Sequence, residues 1–137
     1  MTKIFFYILE SGRYSPEKLV CGICSKAHQE NKKLLLLTQS EQDSNRFDQA
    51  LWRFDETSFI PHSLAAEEHS LNSVCITHTA PVCEHYTILL NTNNEVPSHF
   101  GQYERIIELV HDHNKETARQ HYKFYQDRGY PIKYERV

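Results

Sequence analysis

Hydrophobic residues along the chain fall either in short continuous runs or at intervals of three and four positions, and each pattern predicts one kind of element. Residues 3–9 and 34–37 are nearly continuous apolar runs, which is typical of strands buried on both faces of a sheet. Between them, Ser15 and Pro16 predict the first turn of a helix, because serine caps a helix and proline suits its first position. The apolar face of this helix consists of Leu19, Val20, Ile23, Cys24 and Ala27. The order strand, helix, strand predicts a βαβ unit with a right-handed crossover.

The next part of the chain adds one helix and two strands. Ser40 predicts the start of a second helix, with Asp43 three residues later in a position that resembles a capping box. The apolar stripe of this helix consists of Phe47, Ala50, Leu51 and Phe54. Residues 74–77 and 86–90 are predicted strands. The alternation of strands and helices predicts an α/β fold with a mostly parallel sheet flanked by helices.

Two more helices and an extended segment are predicted after residue 99. A third helix is predicted from the helical spacing of Phe100, Tyr103, Ile106, Ile107 and Val110. A fourth helix over residues 115–128 is expected to end at Gly129, since glycine commonly follows the end of a helix. Residues 130–136 are expected to form a strand or an extended tail. No repeat or linker separates these elements, so we expect one domain over residues 1–137.

The composition excludes several classes of protein. Of the 137 residues, 39% are hydrophobic and 24% are charged, a balance typical of a folded globular chain rather than a disordered one. No apolar run approaches the roughly 20 residues that a membrane-spanning helix needs, and the N-terminus lacks the layout of a signal peptide. We therefore expect a soluble, cytoplasmic protein with no membrane partner.

The formal net charge of −3 is unevenly distributed. From residue 115 onward there are six basic and three acidic residues, whereas the first 114 residues carry nine basic and fifteen acidic residues. The acidic bulk of the chain disfavours nonspecific adhesion to DNA, while the C-terminal part has a local positive field.

The cysteines raise two chemical alternatives. Cys21 and Cys24 have the spacing of a thiol–disulfide redox motif, but they fall more than one turn inside the predicted first helix, away from the N-terminus where the helix dipole activates a thiol. We interpret them as buried structural cysteines. The second alternative is a zinc set of Cys75, His78, Cys83 and His85. Its spacings do not match those of paired zinc knuckles, so we predict no metal site.

Motifs for catalysis or cofactor binding are absent from the sequence. The chain contains neither a glycine-rich phosphate loop nor a nucleophile elbow. Small parallel sheets often bind ligands at the carboxyl ends of their strands, where this sequence offers Glu10 with Ser11 and Thr38 with Gln39. These residues give little support for catalysis, so we predict no enzymatic activity and no cofactor.

The only tryptophan is a candidate interface residue. Trp52 points away from the apolar stripe of the predicted second helix, and Phe59 and Ile60 follow shortly after it in a loop that contains Pro61. Exposed aromatic residues of this kind anchor protein interfaces. The alternative is that the loop with Phe59 folds back and covers Trp52.

The predicted fourth helix has a core face and a basic face. The core face consists of Thr117, Ala118, His121, Phe124 and Tyr125. The opposite face consists of Lys115, Arg119, Tyr122, Lys123 and Gln126. A tyrosine among three cations suits an acidic peptide with an apolar end, and it could also stack a nucleic-acid base. The plainer alternative is an ordinary solvated helix face.

Along nearly its whole length the chain resembles the chi subunits of bacterial DNA polymerase III holoenzyme. The segments that carry the resemblance are Phe6-Tyr7, Leu19-Val20-Cys21, Phe47-Asp48-Gln49-Ala50-Leu51-Trp52, Ser58-Phe59-Ile60-Pro61-His62-Ser63-Leu64 and Ala118-Arg119-Gln120-His121-Tyr122-Lys123-Phe124-Tyr125 with Gly129. Leucine and tryptophan at a helix end, followed by Ser-Phe-x-Pro-His, form a specific combination. Residues 66–99 depart most from the family, and residues 131–134 match its ending only loosely.

The resemblance implies a non-catalytic accessory protein with an open, Rossmann-like sheet and no bound nucleotide. Members of the family bridge the psi subunit, which connects them to the clamp loader, and the acidic, phenylalanine-ended C-terminal tail of single-stranded DNA-binding protein. Contact with nucleic acid is therefore expected to be indirect. The implied tail-binding residues are Arg119, Tyr122, Lys123 and Val110, to which the basic helix face adds Lys115. The implied psi-binding residues are Trp52 and Phe59, with Ile60 and Pro61 beside them. A repair helicase that competes for the Trp52 surface is a further candidate partner.

Two alternatives of other classes stay open on the sequence. One is a small ligand-binding or thiol-redox α/β enzyme that uses the carboxyl edge of the sheet. The other is direct binding of single-stranded nucleic acid by the basic helix face, which would show a steep dependence on salt.

Overall fold

The computed structural model describes residues 2–10, 15–54, 62–64, 73–79 and 86–137, and within them seven parallel strands form one sheet. The strands are β1 (Lys3–Ile8), β2 (Leu34–Leu37), β3 (His62–Leu64), β4 (Val74–Thr77), β5 (Ile88–Asn91), β6 (Arg105–Val110) and β7 (Ile132–Arg136). Their order across the sheet is β3-β4-β2-β5-β6-β1-β7. The helices are α1 (Pro16–Gln29), α2 (Glu41–Phe54) and α3 (Lys115–Asp127). The predicted α/β fold with a parallel, Rossmann-like sheet is confirmed.

Helices pack on both faces of this sheet. The strands alternate side chains between the two faces, so that Leu34 and Leu36 pack with α1 and α2, while Leu35 and Leu37 belong to the cluster beneath α3. Both faces of the central strands are therefore buried, which explains why β2 consists of four consecutive leucines.

The predicted helix ends are present. The Ser15 hydroxyl accepts from the Lys18 backbone N–H at 3.3 Å, and Pro16 occupies the first position of α1. The Ser40 hydroxyl accepts from the Asp43 N–H at 3.1 Å at the start of α2. Gly129 follows the end of α3 with a φ of +77°, a left-handed conformation that glycine adopts without steric cost.

The prediction of a third helix over residues 100–110 is wrong. Phe100–Gln102 form a single 3₁₀ turn, and Arg105–Val110 form β6 in the middle of the sheet. Ile106 and Ile107 are both buried because β6 is covered on both faces, and a doubly buried strand can imitate the spacing of a helix. The apolar stripe of α2 is likewise shorter than predicted, since Phe54 at its end is 37% exposed.

The structure supports the interpretation of Cys21 and Cys24 as core residues. Both are buried in the cluster that joins α1 to the sheet, and both are free thiols. Burial, with a smaller contribution from Glu17, raises the pKa of the Cys21 thiol to about 11, and burial also raises the pKa of Cys24. Thiols held in this way are protonated at neutral pH, which disfavours the redox alternative.

Of the proposed zinc set, Cys75 lies buried in β4, and Cys83 and His85 fall outside the described residues. Within the described ranges there is no cluster of three or more histidine, cysteine or acidic residues that could hold a metal ion. None of the helices described is both long enough and apolar enough to cross a membrane.

Candidate functional site

Helix α3 has the two faces that the sequence predicts. Ala118, His121 and Tyr125 are buried against the sheet. The residues predicted for the opposite face are all exposed, namely Lys115, Arg119, Tyr122, Lys123 and Gln126. The helix therefore presents a basic surface beside the edge of the sheet where β1 and β7 lie.

A groove of about 390 Å³ runs between this surface and the sheet edge, and we call it the α3 groove. Its lining consists of Phe6, Ile8, Val110, Lys115, Ala118, Arg119, Tyr122 and Tyr134. The structure thus brings together four of the five residues that the resemblance and the basic face suggested for tail binding. Lys123 is the fifth, and it is exposed on α3 without being part of the groove lining.

Aromatic side chains shape the groove. Phe6 is buried in β1, and its ring contacts the ring of Tyr122 edge-on at a centroid distance of 5.5 Å. Tyr122 is 38% exposed and Tyr134 is 66% exposed, so both combine an apolar ring with access to solvent. Such residues supply contact area with few rotatable bonds and are common anchors for a bound peptide.

Two cations of the groove lining are held by weak ion pairs. Lys115 Nζ lies 3.7 Å from Asp112 Oδ1, and Arg119 Nη1 lies 3.9 Å from Glu116 Oε2. All four side chains are more than half exposed, and such pairs contribute little to stability. The cations can therefore turn to carboxylates of a ligand at small cost.

A buried polar network fixes the position of α3 beneath the groove. Glu108, in the middle of β6, accepts hydrogen bonds from Asn91 Nδ2 at 2.9 Å and from the Tyr125 hydroxyl at 2.7 Å. His121 Nδ1 lies 2.9 Å from Glu108 Oε1, and His121 Nε2 lies 2.8 Å from the Asn94 carbonyl oxygen. The network connects α3 to β5, to β6 and to the segment after β5. Its four side chains are all buried, namely Asn91, Glu108, His121 and Tyr125.

The charge of His121 follows from these contacts. Burial works to lower the pKa of His121, but the hydrogen bond and the negative charge of Glu108, together with the Asn94 carbonyl, outweigh burial and raise the pKa above its ordinary value. A carbonyl oxygen can only accept a hydrogen bond, so His121 donates through Nε2 and presents its other nitrogen to the carboxyl group of Glu108. The histidine is thereby oriented as a structural partner of Glu108.

A second cavity, of about 420 Å³, lies at the carboxyl edge of the sheet. Its polar lining includes Asp43, Asn93, Glu108, His111 and His113. Arg46, which also lines this cavity, contacts Glu17 at 3.3 Å and Asp43 at 3.7 Å. Gln39 is in the lining, as the sequence suggested for this edge, whereas Glu10 and Thr38 are not.

Trp52 lies near the end of α2 and is 56% exposed, as predicted. Its ring contacts the ring of His62 at a centroid distance of 4.8 Å, and His62 Nε2 lies 3.1 Å from Asp48 Oδ1. Phe54 adds a second exposed aromatic side chain two residues later. Residues two positions apart point about 200° from each other around a helix, so Phe54 does not share the face of Trp52, and we call the exposed surface around Trp52 alone the α2 aromatic surface. The other residues proposed for this surface, Phe59, Ile60 and Pro61, fall outside the described residues.

The α2 aromatic surface and the α3 groove are far apart. Helix α2 packs beside β3 and β4 at one edge of the described sheet, and it covers the face opposite to α3. The groove lies at β1 and β7, five and six strands away from β3. At about 4.8 Å per strand, this separation is roughly 25 Å.

Several groove residues were not anticipated from the sequence. The sequence pattern places Phe6 and Ile8 in the first predicted strand and Tyr134 in a segment predicted as a strand or an extended tail, and it assigns none of the three to a binding site. The signal for Tyr134 was its alternation with Ile132 and Arg136, which places the three side chains on one face of an extended segment. Glu108 is not singled out by the sequence, because the helical spacing of the apolar residues from Phe100 to Val110 predicts a helix there rather than a strand buried on both faces.

Sequence comparison with known proteins identifies one family that spans nearly the whole chain. The family model for the DNA polymerase III chi subunit, HolC, matches residues 1–133. Three curated relatives carry the name DNA polymerase III subunit chi. The relative from Pseudomonas aeruginosa is 31% identical over 100% of this chain and 98% of its own length. Those from Haemophilus influenzae and Escherichia coli are 24% and 27% identical and cover 99% and 96% of this chain, with 97% and 96% of their own lengths matched. Since the family model and the relatives span nearly the whole fold described here, the chain belongs to the family of DNA polymerase III chi subunits.

Proposed function

We propose that this chi subunit is a non-catalytic, cytoplasmic adaptor of one domain that holds two proteins at once. In this proposal the α3 groove binds the acidic, phenylalanine-ended C-terminal tail of single-stranded DNA-binding protein. The α2 aromatic surface, with Phe59, Ile60 and Pro61 that follow it in sequence, binds the psi subunit and so connects the chain to the clamp loader. Nucleic acid is reached only through the first partner.

The observation that carries the proposal is the combination of an apolar groove with basic residues at its rim. Phe6, Ile8 and Val110 supply the apolar side chains that a terminal phenylalanine needs. Arg119 and Lys115 supply positive charge beside them. A peptide that ends in phenylalanine carries its α-carboxylate next to its aromatic ring, so the groove matches both groups in one place.

The groove accounts for an acidic partner better than for nucleic acid alone. Both ligands would use the cations, but a terminal carboxylate suits the planar fork of an arginine, which can donate two parallel hydrogen bonds. Lys123, which lies outside the groove lining, then contributes through its charge to acidic residues further from the peptide end.

The second surface is supported by its distance from the groove. Two partners can occupy one small protein only if their contacts do not overlap, and the separation of roughly 25 Å between the sheet edges fulfils this condition. A repair helicase that binds the α2 aromatic surface would compete with psi and leave the groove free.

Calorimetric titration with an acidic peptide that ends in Asp-Ile-Pro-Phe tests the groove assignment. The proposal expects binding that is lost when the terminal phenylalanine is removed, because the apolar part of the groove is then empty. Equal affinity for the two peptides contradicts the assignment. Binding of a bare single-stranded oligonucleotide with a steep salt dependence, and without peptide binding, would favour the nucleic-acid alternative.

A further inference from the structure

Strand β7 contributes to the α3 groove in a way that the proposed function does not require. Tyr134 lines the groove, and the parallel register places it beside Phe6 of β1. Arg136, two residues later, lies beside Ile8, which also lines the groove. Because paired residues of parallel strands point to the same face, Arg136 extends from the α3 side of the sheet, next to the groove.

The other basic residue of β7 points the opposite way. Lys133 lies beside Phe5 and Glu135 lies beside Tyr7, so both are on the face that carries α1. The alternation separates Tyr134 and Arg136 on the groove side from the lysine and the glutamate on the other side. All four side chains are exposed, and β7 is the edge strand of the described sheet.

Positive charge therefore continues from the groove along the sheet edge. Lys115 and Arg119 lie on the α3 side of the groove, each beside an acidic residue of its own segment, Asp112 and Glu116. Arg136 lies on the β7 side, beyond Tyr134. A ligand that fills only the apolar part of the groove does not contact Arg136. An acidic segment of a ligand that leaves the groove along β7 would lie beside Arg136.

We propose that the acidic residues that precede the apolar end of the bound peptide lie along β7, with Tyr134 closing the groove opposite Tyr122 and Arg136 binding a carboxylate of the peptide. This inference rests on the proposed function, since it takes the same acidic peptide as the occupant. It assigns two further binding residues that set the preference of the site for a long acidic peptide over a short one.

Two peptides and two charge-reversal variants test the inference. The short peptide is Asp-Ile-Pro-Phe, and the long peptide carries six additional residues rich in aspartate before the same four. Arg136→Glu and Lys133→Glu change the net charge equally and lie on the same strand, but only Arg136 is on the groove side. Long-range electrostatic effects are thus matched between the two variants, and titrations at low ionic strength make the local contact easiest to measure.

In wild type the long peptide is expected to bind more tightly than the short one. Arg136→Glu is expected to reduce this preference by about five-fold or more, as the loss of one attraction and the gain of one repulsion would do. Lys133→Glu is expected to retain most of the preference for the long peptide. An unchanged preference in Arg136→Glu, or an equal loss in both variants, overturns the role of β7 while leaving the groove assignment intact.

Tyr134 is tested with the short peptide. Tyr134→Ala is expected to weaken its binding by about ten-fold, whereas Tyr134→Phe, which keeps the ring, is expected to bind as wild type does. Wild-type affinity in Tyr134→Ala removes Tyr134 from the site. If neither peptide binds to wild type, the proposed function fails and the inference fails with it, which distinguishes that result from a failure of β7 alone.

Discussion

The ring of Phe6 supports the ring of Tyr122, with the two ring centroids 5.5 Å apart and the planes inclined at 63°. Phe6 belongs to the buried face of β1, and Tyr122 is the exposed aromatic residue of α3. The core residue Phe6 therefore sets the position of the surface residue Tyr122, so this wall of the groove is held in place by the sheet. Preorganised aromatic anchors of this kind lose little conformational entropy when a ligand binds.

Replacement of Tyr122 tests whether its ring is the anchor. Tyr122→Ala is expected to cost about 2 kcal/mol of binding free energy for the acidic peptide, as for other central aromatic residues of an interface. Tyr122→Phe keeps the contact with Phe6 and is expected to bind nearly as well as wild type. Calorimetry with the phenylalanine-ended peptide measures both. Equal losses in the two variants would mean that the hydroxyl group, rather than the ring, carries the interaction.

The two cations of the groove are expected to contribute unequally. Arg119→Ala should weaken peptide binding by about 1.5–3 kcal/mol, the usual range for a hydrogen bond to a charged group. Lys115→Ala should cost less, since a lysine offers a point charge rather than a bidentate fork. Titration of both variants with the same peptide makes the comparison. Small and equal losses would contradict the assignment of the terminal carboxylate to Arg119.

The buried cysteines are expected to matter for stability alone. Cys21→Ser combined with Cys24→Ser places two hydroxyl groups in an apolar cluster, which should lower the free energy of unfolding by about 1–3 kcal/mol for each hydroxyl that finds no partner. Urea unfolding measures this loss, and the double alanine variant separates polarity from volume. Peptide binding should stay at the wild-type level. Disulfide reductase activity in wild type that disappears in the double variant would restore the redox alternative.

The raised pKa of His121 predicts how stability depends on pH. A protonated His121 is favoured in the folded state, so its contribution to stability is complete below the ordinary value of 6.5 and is lost as the pH rises through the raised pKa. The difference in the free energy of unfolding between wild type and His121→Gln should therefore be larger near pH 6 than near pH 9. Urea unfolding at both pH values measures it.

The partner of His121 provides the control for this prediction. Glu108→Gln removes the negative charge that stabilises the imidazolium, so the pH dependence assigned to His121 should largely disappear in that variant. Burial lowers the pKa of His111, so its contribution to stability depends on pH in the opposite sense. This contribution is common to all of these proteins. It therefore cancels when the free energies of unfolding of a variant and its parent are subtracted at the same pH. A wild-type advantage that stays constant or grows with pH would contradict the prediction.

The elements that the sequence predicts well are those with local signals. Ser15, Pro16, Ser40 and Gly129 mark helix ends through their own side chains or backbone conformation, and each lies where it was predicted. The outward face of α3 was also predictable, because the helix is amphipathic and its cations alternate with buried residues at helical spacing.

The parts that could not be predicted depend on contacts between distant segments. The burial of Glu108 requires Asn91, His121 and Tyr125 from other elements, and no local pattern around residue 108 indicates these partners. The role of Tyr134 depends on the register of β7 beside β1, which no local pattern specifies. The groove is made by four elements, namely β1, β6, α3 and β7, and of its lining only residues of α3 and Val110 are indicated by the sequence and the resemblance.

The most direct test of the account is whether the two surfaces act independently. Trp52→Ala should abolish binding of psi, while it leaves the affinity for the tail of single-stranded DNA-binding protein within about 0.5 kcal/mol of wild type, the usual limit for distant sites. Arg119→Glu should show the reverse pattern. Calorimetric titration of both folded variants with both partners decides the question. If Trp52→Ala weakens both partners alike, the two surfaces form one site and the chain does not bridge its partners as proposed.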